Sequence, residues 1–220
     1  MRQIMIGAAT SNSGKTTFTI GLLRYLKNIG INVQPFKCGP DYIDPIFHRM
    51  ASGKSSINLD TFMSSSKHIN EIYNRYGIGA DICITEGVMG LFDGWDKQKG
   101  SSAELAKMLN IPVLLVVNAE SVAYSIAPLV YGFRHFDKEL NIEGVVLNKV
   151  ASEKHYQMLR DACKDAGVEC YGYISRNKEI TMPSRHLGLN ISEKNKIEQV
   201  IQASAKEIEQ HVDINKILGR

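Results

Sequence analysis

Ala9-Thr10-Ser11-Asn12-Ser13-Gly14-Lys15-Thr16-Thr17 joins a short apolar run to a segment with helical periodicity. The stretch matches the phosphate-binding pattern G-x-x-x-x-G-K-[ST], except that Ala9 stands at the first glycine position. Small residues let backbone N–H groups converge on a phosphate, and the following helix adds the positive end of its dipole. In this arrangement Lys15 reaches the outer phosphates and the Thr16 hydroxyl ligates Mg²⁺. A small-residue turn is the alternative, but the strand–loop–helix position favours a nucleotide site formed by Asn12, Ser13, Gly14, Lys15, Thr16 and Thr17.

The rest of the chain alternates short apolar runs with helix-period segments, which is typical of a parallel α/β sheet. Several runs are apolar on both faces, as expected for strands buried between two helical layers. Strands are predicted near residues 4–8, 32–36, 81–85, 112–118, 144–149 and 170–174. Helices are predicted near residues 15–27, 66–76, 101–109, 121–135, 153–166 and 193–210, the last polar and on the surface. The predicted fold class is therefore α/β, a phosphate-loop NTPase-type parallel sheet with helices on both faces.

The composition is that of an ordinary globular protein. The 220 residues are 44% hydrophobic and 22% charged, which excludes a disordered tail, a fibre and a disulfide-dense mini-protein. A net charge of +3 is too small for an electrostatic nucleic-acid binder, and no apolar run reaches the ~18–20 residues of a membrane span. The four cysteines have no metal-binding spacing and are expected to be reduced thiols. We expect a single domain over residues 1–220 in the cytoplasm, with no nucleic-acid or membrane partner.

An acidic residue ends the strand predicted at residues 81–85. Ligands of open α/β sheets bind at the carboxyl ends of the strands, so Glu86 is placed to hold Mg²⁺ directly or through water. Asp93 adds a second acid in a loop whose glycines let the backbone approach a ligand. A solvated turn is the alternative, and the nearby phosphate loop favours the metal site.

Residues 38–58 are predicted to form an irregular loop, and loops of that length are often functional. Lys37 precedes this loop and would emerge at the same crevice, with Asp41 and Asp44 facing the metal or the substrate. An exposed lysine is an equally good reading of Lys37. Cys38 has no paired histidine nearby, so a small packing residue is favoured over a nucleophile.

Two absences narrow the class of phosphate-loop protein. The guanine-recognition motif N-K-x-D is missing, because Val150 and Ala151 follow Asn148 and Lys149. Partition ATPases carry an additional lysine early in the loop, where this chain has Thr10. A GTPase and a segregation ATPase are therefore disfavoured.

Five blocks in order carry a family resemblance over essentially the whole chain: S-G-K-T-T at 13–17, K-x-G-P-D-Y-I-D-P at 37–45, N-L-D at 58–60, E-G-V-M-G-L-F-D-G at 86–94 and S-R-H-L-G-L at 184–189. The chain resembles the cobyrinic acid a,c-diamide synthase family, specifically its N-terminal ATP-dependent amidoligase domain, which is similar in fold to dethiobiotin synthetase. The resemblance implies that ATP phosphorylates the a and c acetate carboxylates of a corrinoid, and that ammonia then displaces phosphate. A related tetrapyrrole, Ni-sirohydrochlorin, is the substrate of a close relative and is not distinguished here.

The resemblance also implies roles for single residues. Lys15 and Thr16 bind ATP phosphates and Mg²⁺, with Asp41 and Glu86 as further metal ligands. Lys37 stabilises the charge that develops on the transferred phosphoryl group. Residues implied to handle the substrate or the intermediate are Tyr42, Asp44 and Asp93.

Three other residues receive roles in the same way. Asn148 resembles the asparagine that recognises adenine in dethiobiotin synthetase, and a cap at the end of its strand is the alternative. Arg185 and His186 lie in a loop suited to the other carboxylates of the substrate, and a tether for the last helix is the alternative. His186 is not expected to be a metal ligand, because no second His or Cys lies at ligand spacing from it.

The chain differs from the enzymes of this family in one respect. Enzymes of this family carry a C-terminal glutamine amidotransferase domain with a cysteine nucleophile, and no cysteine of this chain lies in a G-x-C-x-G motif. The chain is expected to be either a fragment or a subunit that receives ammonia from a glutaminase domain or separate subunit. Self-association as a homodimer is left open.

Two other functions are compatible with a phosphate loop. One is dethiobiotin synthetase-like carboxylation and ring closure, which the blocks at 39–45 and 184–189 disfavour. The other is a non-catalytic ATP-dependent switch, which would hydrolyse ATP without a corrinoid. An amidoligase is expected to turn over ATP only when its substrate is added.

Overall fold

Seven parallel strands form one sheet in the order β3-β2-β4-β1-β5-β6-β7. The computed structural model of the chain describes residues 2–182 and 191–220. The strands are β1 (Arg2–Ala8), β2 (Val33–Cys38), β3 (Ile57–Leu59), β4 (Ile82–Glu86), β5 (Val113–Asn118), β6 (Ile142–Val150) and β7 (Cys170–Ser175). The helices are α1 (Lys15–Asn28), α2 (Asp44–Ser52), α3 (Ser66–Gly77), α4 (Ser102–Leu109), α5 (Ile126–Phe136), α6 (Glu153–Asp165), α7 (Ile191–His211) and α8 (Ile214–Leu218).

Helices cover both faces of the sheet, as the apolar strands require. Alternate residues of β1 separate the two cores, since Met5 packs on the side of α3 to α6 and Ile4 and Ile6 pack on the side of α1, α2, α7 and α8. The predicted parallel α/β fold is confirmed. Within the described residues, none of the helices combines the length and the apolar character that a membrane span needs.

The structure corrects the sequence analysis at residues 38–58, which were predicted to be irregular. They contain helix α2 and strand β3, which pairs with β2. Pro45 occupies the first turn of α2, where a missing N–H costs nothing, and the left-handed Gly53 (φ 81°) ends the helix. Pro and Gly therefore bound this helix, although they resembled loop residues in the sequence.

Two helices differ from their predicted form. Helix α5 begins at Ile126, five residues after the predicted start at residue 121, and turns precede it. Helix α7, predicted to be polar and on the surface, buries one side. Ile197, Ile201 and Ile208 are completely buried in the core formed with α1. These isoleucines recur at helical spacing, which is typical of an amphipathic helix, but the many polar residues of the segment led to the prediction of a surface helix.

Gly21 sets how closely α1 and α7 approach. A Cβ atom added at this glycine would lie 2.9 Å from the backbone C and O of Ser204 on α7. The Arg24 guanidinium, one turn further along α1, forms an ion pair with Glu198 of α7. A side chain at position 21 would therefore push the two backbones apart, because main-chain atoms cannot rotate away.

The substitution Gly21→Val is expected to lower the free energy of unfolding by about 1–3 kcal/mol through overpacking. Gly132→Ala on the exposed side of α5 is the matched control, because nothing lies within 4 Å of an added Cβ there. That control should stabilise the protein by about 0.5–1 kcal/mol. Urea unfolding followed by circular dichroism measures both, and equal effects would contradict the close packing of α1 on α7.

Candidate active site at the carboxyl edge of the sheet

The central strands bring the phosphate loop, Lys37 and Glu86 together. Strand β4 lies between β1 and β2, and Glu86 is level with Ile6 of β1 and with Lys37 of β2. The phosphate loop leaves the end of β1 and leads into α1. Because parallel strands all end at the same edge, residues separated by up to 71 positions (15 and 86) meet at one crevice.

A buried cluster of charges lies in this crevice. Lys37 Nζ is 2.7 Å from an Asp44 carboxylate oxygen and 3.2 Å from Glu86 Oε1, and it also donates to the Gly87 carbonyl at 2.9 Å. The Thr16 hydroxyl donates to the same Glu86 oxygen at 2.7 Å and lies 3.4 Å from Asp44. Lys37 is 2% exposed and Glu86 is completely buried. The predicted alternative of an exposed lysine is therefore wrong.

The cluster fixes the protonation of its members. Burial by itself lowers the pKa of Lys37, but the carboxylates of Glu86 and Asp44 outweigh it and the pKa rises above its ordinary value. Burial raises the pKa of Glu86, yet the Lys37 ammonium and the hydrogen bond from His48 hold it well below the usual range. The pKa of Asp44 is raised by burial and by the neighbouring Glu86 charge. Lys37 is thus a cation and Glu86 an anion at neutral pH.

The phosphate loop has the geometry that its sequence predicts. Gly14 is left-handed (φ 93°) and directly precedes α1, and Asn12 is left-handed as well (φ 62°). The Ser13 hydroxyl donates to the Thr10 carbonyl at 2.8 Å and closes the loop. Lys15 Nζ donates to the Met89 carbonyl at 3.1 Å, across the crevice from α1. Lys15 therefore lies over the loop, on the side where phosphates would bind.

Asn148 braces the phosphate loop from the end of β6. Its side-chain Nδ2 donates to the Ser13 carbonyl at 2.8 Å, and its Oδ1 accepts from the Lys149 N–H at 2.9 Å. A Cβ atom at Gly14 would overlap Asn148 Nδ2. Asn148 therefore contacts the loop in addition to capping its own strand.

A cavity of about 760 Å³ connects these groups. It extends from Lys37, Asp41 and Asp44 past the phosphate loop to the ends of β6 and β7. At that far end, Glu120 accepts from Lys149 Nζ at 2.8 Å and lies 3.3 Å from Arg176. The sequence did not indicate these three lining residues, because none belongs to a motif and they meet only where β5, β6 and β7 end.

The predicted acidic residues differ in how they face the cavity. Asp41 lines it, and one carboxylate oxygen accepts from the backbone N–H groups of Ile43 and Asp44, while the other lies 3.6 Å from Lys37 Nζ. Asp44 is the aspartate in contact with Thr16. Asp93 is exposed. Its carboxylate accepts a hydrogen bond from the Gly90 N–H at 3.0 Å, within the same loop.

The remaining predicted residues lie at the edge of the crevice or in the part of the chain that the structure does not describe. Thr17 lines the cavity, whereas Tyr42 is 78% exposed. Arg185 and His186 fall in residues 183–190, outside the described part of the chain.

Two kinds of residue were missed, a buried histidine in contact with Glu86 and a pair of exposed aromatic residues. His48 is completely buried, and its Nε2 lies 2.7 Å from Glu86 Oε2. It stands four residues after Asp44 on α2, so recognising the helix would have placed both on one face. Phe62 after β3 and Trp95 after β4 are exposed and meet edge to face, with ring centroids 5.9 Å apart. Neither aromatic belongs to a motif of the phosphate loop.

The oxygen atoms of the crevice suit a hard cation. Among the described residues, no group of three or more His, Cys, Asp or Glu is arranged to hold a metal by itself. Mg²⁺ bound with a nucleotide needs fewer protein ligands, because phosphates and waters complete its octahedron. The Thr16 hydroxyl with the Asp44 and Glu86 carboxylates is such a partial set.

A comparison with known protein families identifies the family of this chain. Residues 4–189 match the family described as CobQ/CobB/MinD/ParA nucleotide binding domain. The chain belongs to this family. The match extends from β1 past β7, so it includes the phosphate loop, Lys37, Glu86 and Asn148.

Curated relatives confirm the resemblance predicted from the five sequence blocks. The chain is 45% identical to hydrogenobyrinate a,c-diamide synthase of Brucella ovis, over 99% of the chain and 50% of the relative. It is 40% identical to cobyrinate a,c-diamide synthase of Caldanaerobacter subterraneus subsp. tengcongensis, over 99% of the chain and 49% of the relative. The chain thus spans about half the length of the curated relatives that it matches.

Solved structures share the fold. The MinC:MinD cell division protein complex of Aquifex aeolicus contains a chain that matches with a TM-score of 0.56 and 16% identity, over 95% of this chain and 96% of that one. Chloroplast FtsY of Physcomitrella patens also has a TM-score of 0.56, with 13% identity over 91% of this chain and 65% of that one. At such identities the likeness concerns the fold alone.

The contact between Gly14 and Asn148 generates a prediction. Gly14→Ala should weaken ATP binding at least about tenfold, since the alanine is strained at positive φ and displaces the Asn148 amide from the loop. Gly30→Ala is the matched control, because Gly30 has a similar φ (80°) with open space around it. Calorimetric titration with ATP measures both variants. Equal affinities in the two variants would contradict the bracing of the loop by Asn148.

Proposed function

We propose that this chain is the ATP-dependent amidoligase domain of a cobyrinate a,c-diamide synthase. It would convert the a and c acetate carboxylates of cobyrinic acid, or of a related tetrapyrrole, to carboxamides in cobalamin biosynthesis. The observation that carries the proposal is the buried cluster of Lys37, Asp44 and Glu86 beside the phosphate loop. A loop that only binds a nucleotide needs no second, buried cation, whereas transfer of a phosphoryl group to a carboxylate gathers several negative charges in one place.

The proposed reaction has two steps. A carboxylate oxygen of the substrate attacks the γ-phosphorus of ATP, the bond to the bridging oxygen breaks, and ADP leaves with an acyl phosphate remaining on the substrate. The nitrogen of ammonia then attacks the acyl carbon, inorganic phosphate leaves with the C–O bond electrons, and the nitrogen loses a proton. Each round consumes one ATP and forms one amide.

Several residues of the chain have separate roles in the first step, the transfer of the phosphoryl group. Lys15 binds the outer phosphates, and Lys37 stabilises the charge of the transferred phosphoryl group at the position fixed by Asp44 and Glu86. Thr16 and Glu86 would hold Mg²⁺, together with Asp44 beside them and Asp41 at the cavity edge. The ion, when bound, neutralises charge on the phosphates. The adenine would lie at the far end of the cavity, near Asn148.

The substrate is proposed to approach from the side of β2, β3 and β4. Tyr42 follows β2, Phe62 follows β3 and Trp95 follows β4, and the rings of Phe62 and Trp95 are in contact. Exposed aromatic faces suit a large, conjugated ring. Lys99, whose ammonium lies 5.5 Å from the Trp95 ring centroid, suits its peripheral carboxylates. Asp93, Arg185 and His186 are proposed to contact the substrate or the acyl phosphate.

Ammonia is the proposed nitrogen donor for this domain, delivered by a glutaminase domain or subunit. Release of ammonia from glutamine needs an activated nucleophile. Cys38 and Cys83 are buried, and burial raises the pKa of each thiol to about 11. Neither is a thiolate at neutral pH.

The experiment is an amidation assay by mass spectrometry, with ATP, Mg²⁺ and ammonium, against cobyrinic acid, Ni-sirohydrochlorin and a diaminopelargonate control. Wild-type chain should add two amides to a tetrapyrrole and should hydrolyse ATP only when that substrate is present. Lys15→Ala should reduce the rate by about 10²–10³-fold, as for loss of one preorganised charge. Lys67→Ala is the matched control, because the Lys67 side chain on α3 is 88% exposed.

ATP hydrolysis that is independent of any tetrapyrrole, with no amide formed, would refute the amidoligase and favour a switch. Product from diaminopelargonate and carbon dioxide would instead identify ring-closing chemistry.

A further inference from the structure

His48 connects the carboxylate at the centre of the site to the protein framework. Glu86 has two carboxylate oxygens, both buried. Oε1 accepts from the Thr16 hydroxyl at 2.7 Å and from Lys37 at 3.2 Å, on the side of the phosphate loop. Oε2 has the His48 ring nitrogen Nε2 at 2.7 Å. The two oxygens therefore face different partners, and only Oε1 faces the nucleotide side.

The imidazole is itself held at its other nitrogen. His48 Nδ1 lies 2.9 Å from the Ser56 hydroxyl, in the segment that leads into β3. An ionised carboxylate only accepts hydrogen bonds, so Nε2 carries the hydrogen toward Glu86. At Nδ1 the ring is hydrogen-bonded to the Ser56 hydroxyl. This assignment uses both ring nitrogens, and the imidazole is 0% exposed.

Helix α2 delivers two groups to the site from consecutive turns. Asp44 begins the helix and His48 follows one turn later, and both side chains reach the Lys37–Glu86 pair. Phe47, between them in sequence, packs in the core formed with α1 and is 2% exposed. Phe47 thus anchors α2 in the core, and the contact with His48 Nε2 holds the direction of the Glu86 carboxylate.

We propose that His48 is a positioning residue that orients Glu86 toward the Thr16 hydroxyl and thereby sets the affinity of the site for Mg²⁺ bound with a nucleotide. The inference rests on the Mg²⁺ site of the proposed function. It adds a residue outside the metal ligands and outside the five sequence blocks. Hydrogen-bond partners of metal ligands typically change metal affinity by about 10–100-fold when removed.

The test measures binding instead of turnover. A non-hydrolysable ATP analogue is titrated with and without Mg²⁺, and the Mg²⁺ concentration for half-maximal enhancement of binding is determined for each variant. His48→Leu should raise that concentration at least about tenfold and should leave analogue affinity without metal within about twofold. His48→Gln should return to within about threefold of wild type, because its amide N–H can donate to Glu86 as Nε2–H does.

Two further variants separate positioning from stability. Phe47→Leu perturbs the same helix in its core without touching Glu86, so it should lower the unfolding temperature and leave the Mg²⁺ requirement unchanged. Ser56→Ala removes only the support of Nδ1 and should raise the Mg²⁺ requirement by a smaller factor than His48→Leu does. If His48→Leu does not fold, the comparison of His48→Gln and Ser56→Ala with Phe47→Leu decides the question.

The proposal is overturned if the His48 variants keep the wild-type Mg²⁺ requirement, or if Phe47→Leu changes it as much as His48→Leu does. It is also overturned if the wild-type chain binds the analogue equally well with and without Mg²⁺. Failure of the proposed function is distinguishable, since an inactive chain that still shows the His48-dependent Mg²⁺ requirement refutes amidation and leaves the positioning role intact.

Discussion

The buried ammonium group of Lys37 is the interaction on which the site depends. It lies within 3.2 Å of both Asp44 and Glu86 and donates to the Gly87 carbonyl. Without this ammonium group the two buried carboxylates beside it would repel each other, and one would take up a proton. The cation between them keeps Glu86 ionised and joins α2 to the ends of β2 and β4. The Thr16 hydroxyl, at the start of α1, then meets a carboxylate of fixed charge and direction.

The sheet explains how such a cluster forms from distant residues. Lys37 and Glu86 are level with each other in paired parallel strands, and β4 also pairs with the strand that leads into the phosphate loop. Burial of ionic groups is costly unless they are paired and hydrogen-bonded. Here each buried charge faces an opposite charge, and His48 satisfies the second oxygen of Glu86. The arrangement is poised for chemistry in which a nucleotide and its cation bring further charge.

Much of this could be predicted from the sequence, and the failures have physical reasons. The phosphate loop, Lys37 and Glu86 were recognised because each directly follows an apolar run, and parallel strands share one edge. Helix α2 was missed because Pro45 and Gly53 resemble loop residues, although they begin and end a helix. With the helix missed, the one-turn spacing of Asp44 and His48 carried no information. Glu120, Lys149 and Arg176 were missed because their proximity arises only when β5, β6 and β7 are assembled.

The most direct measurement is the free energy of unfolding of Lys37→Met, determined by urea titration at neutral pH without nucleotide. Because the substitution leaves two buried carboxylates without their cation, we expect a loss of about 3–5 kcal/mol, the cost of breaking a buried ion pair. A loss below about 1 kcal/mol, the value of an exposed ion pair, would contradict it. That result would mean that Lys37 does not organise the charges at the phosphate loop.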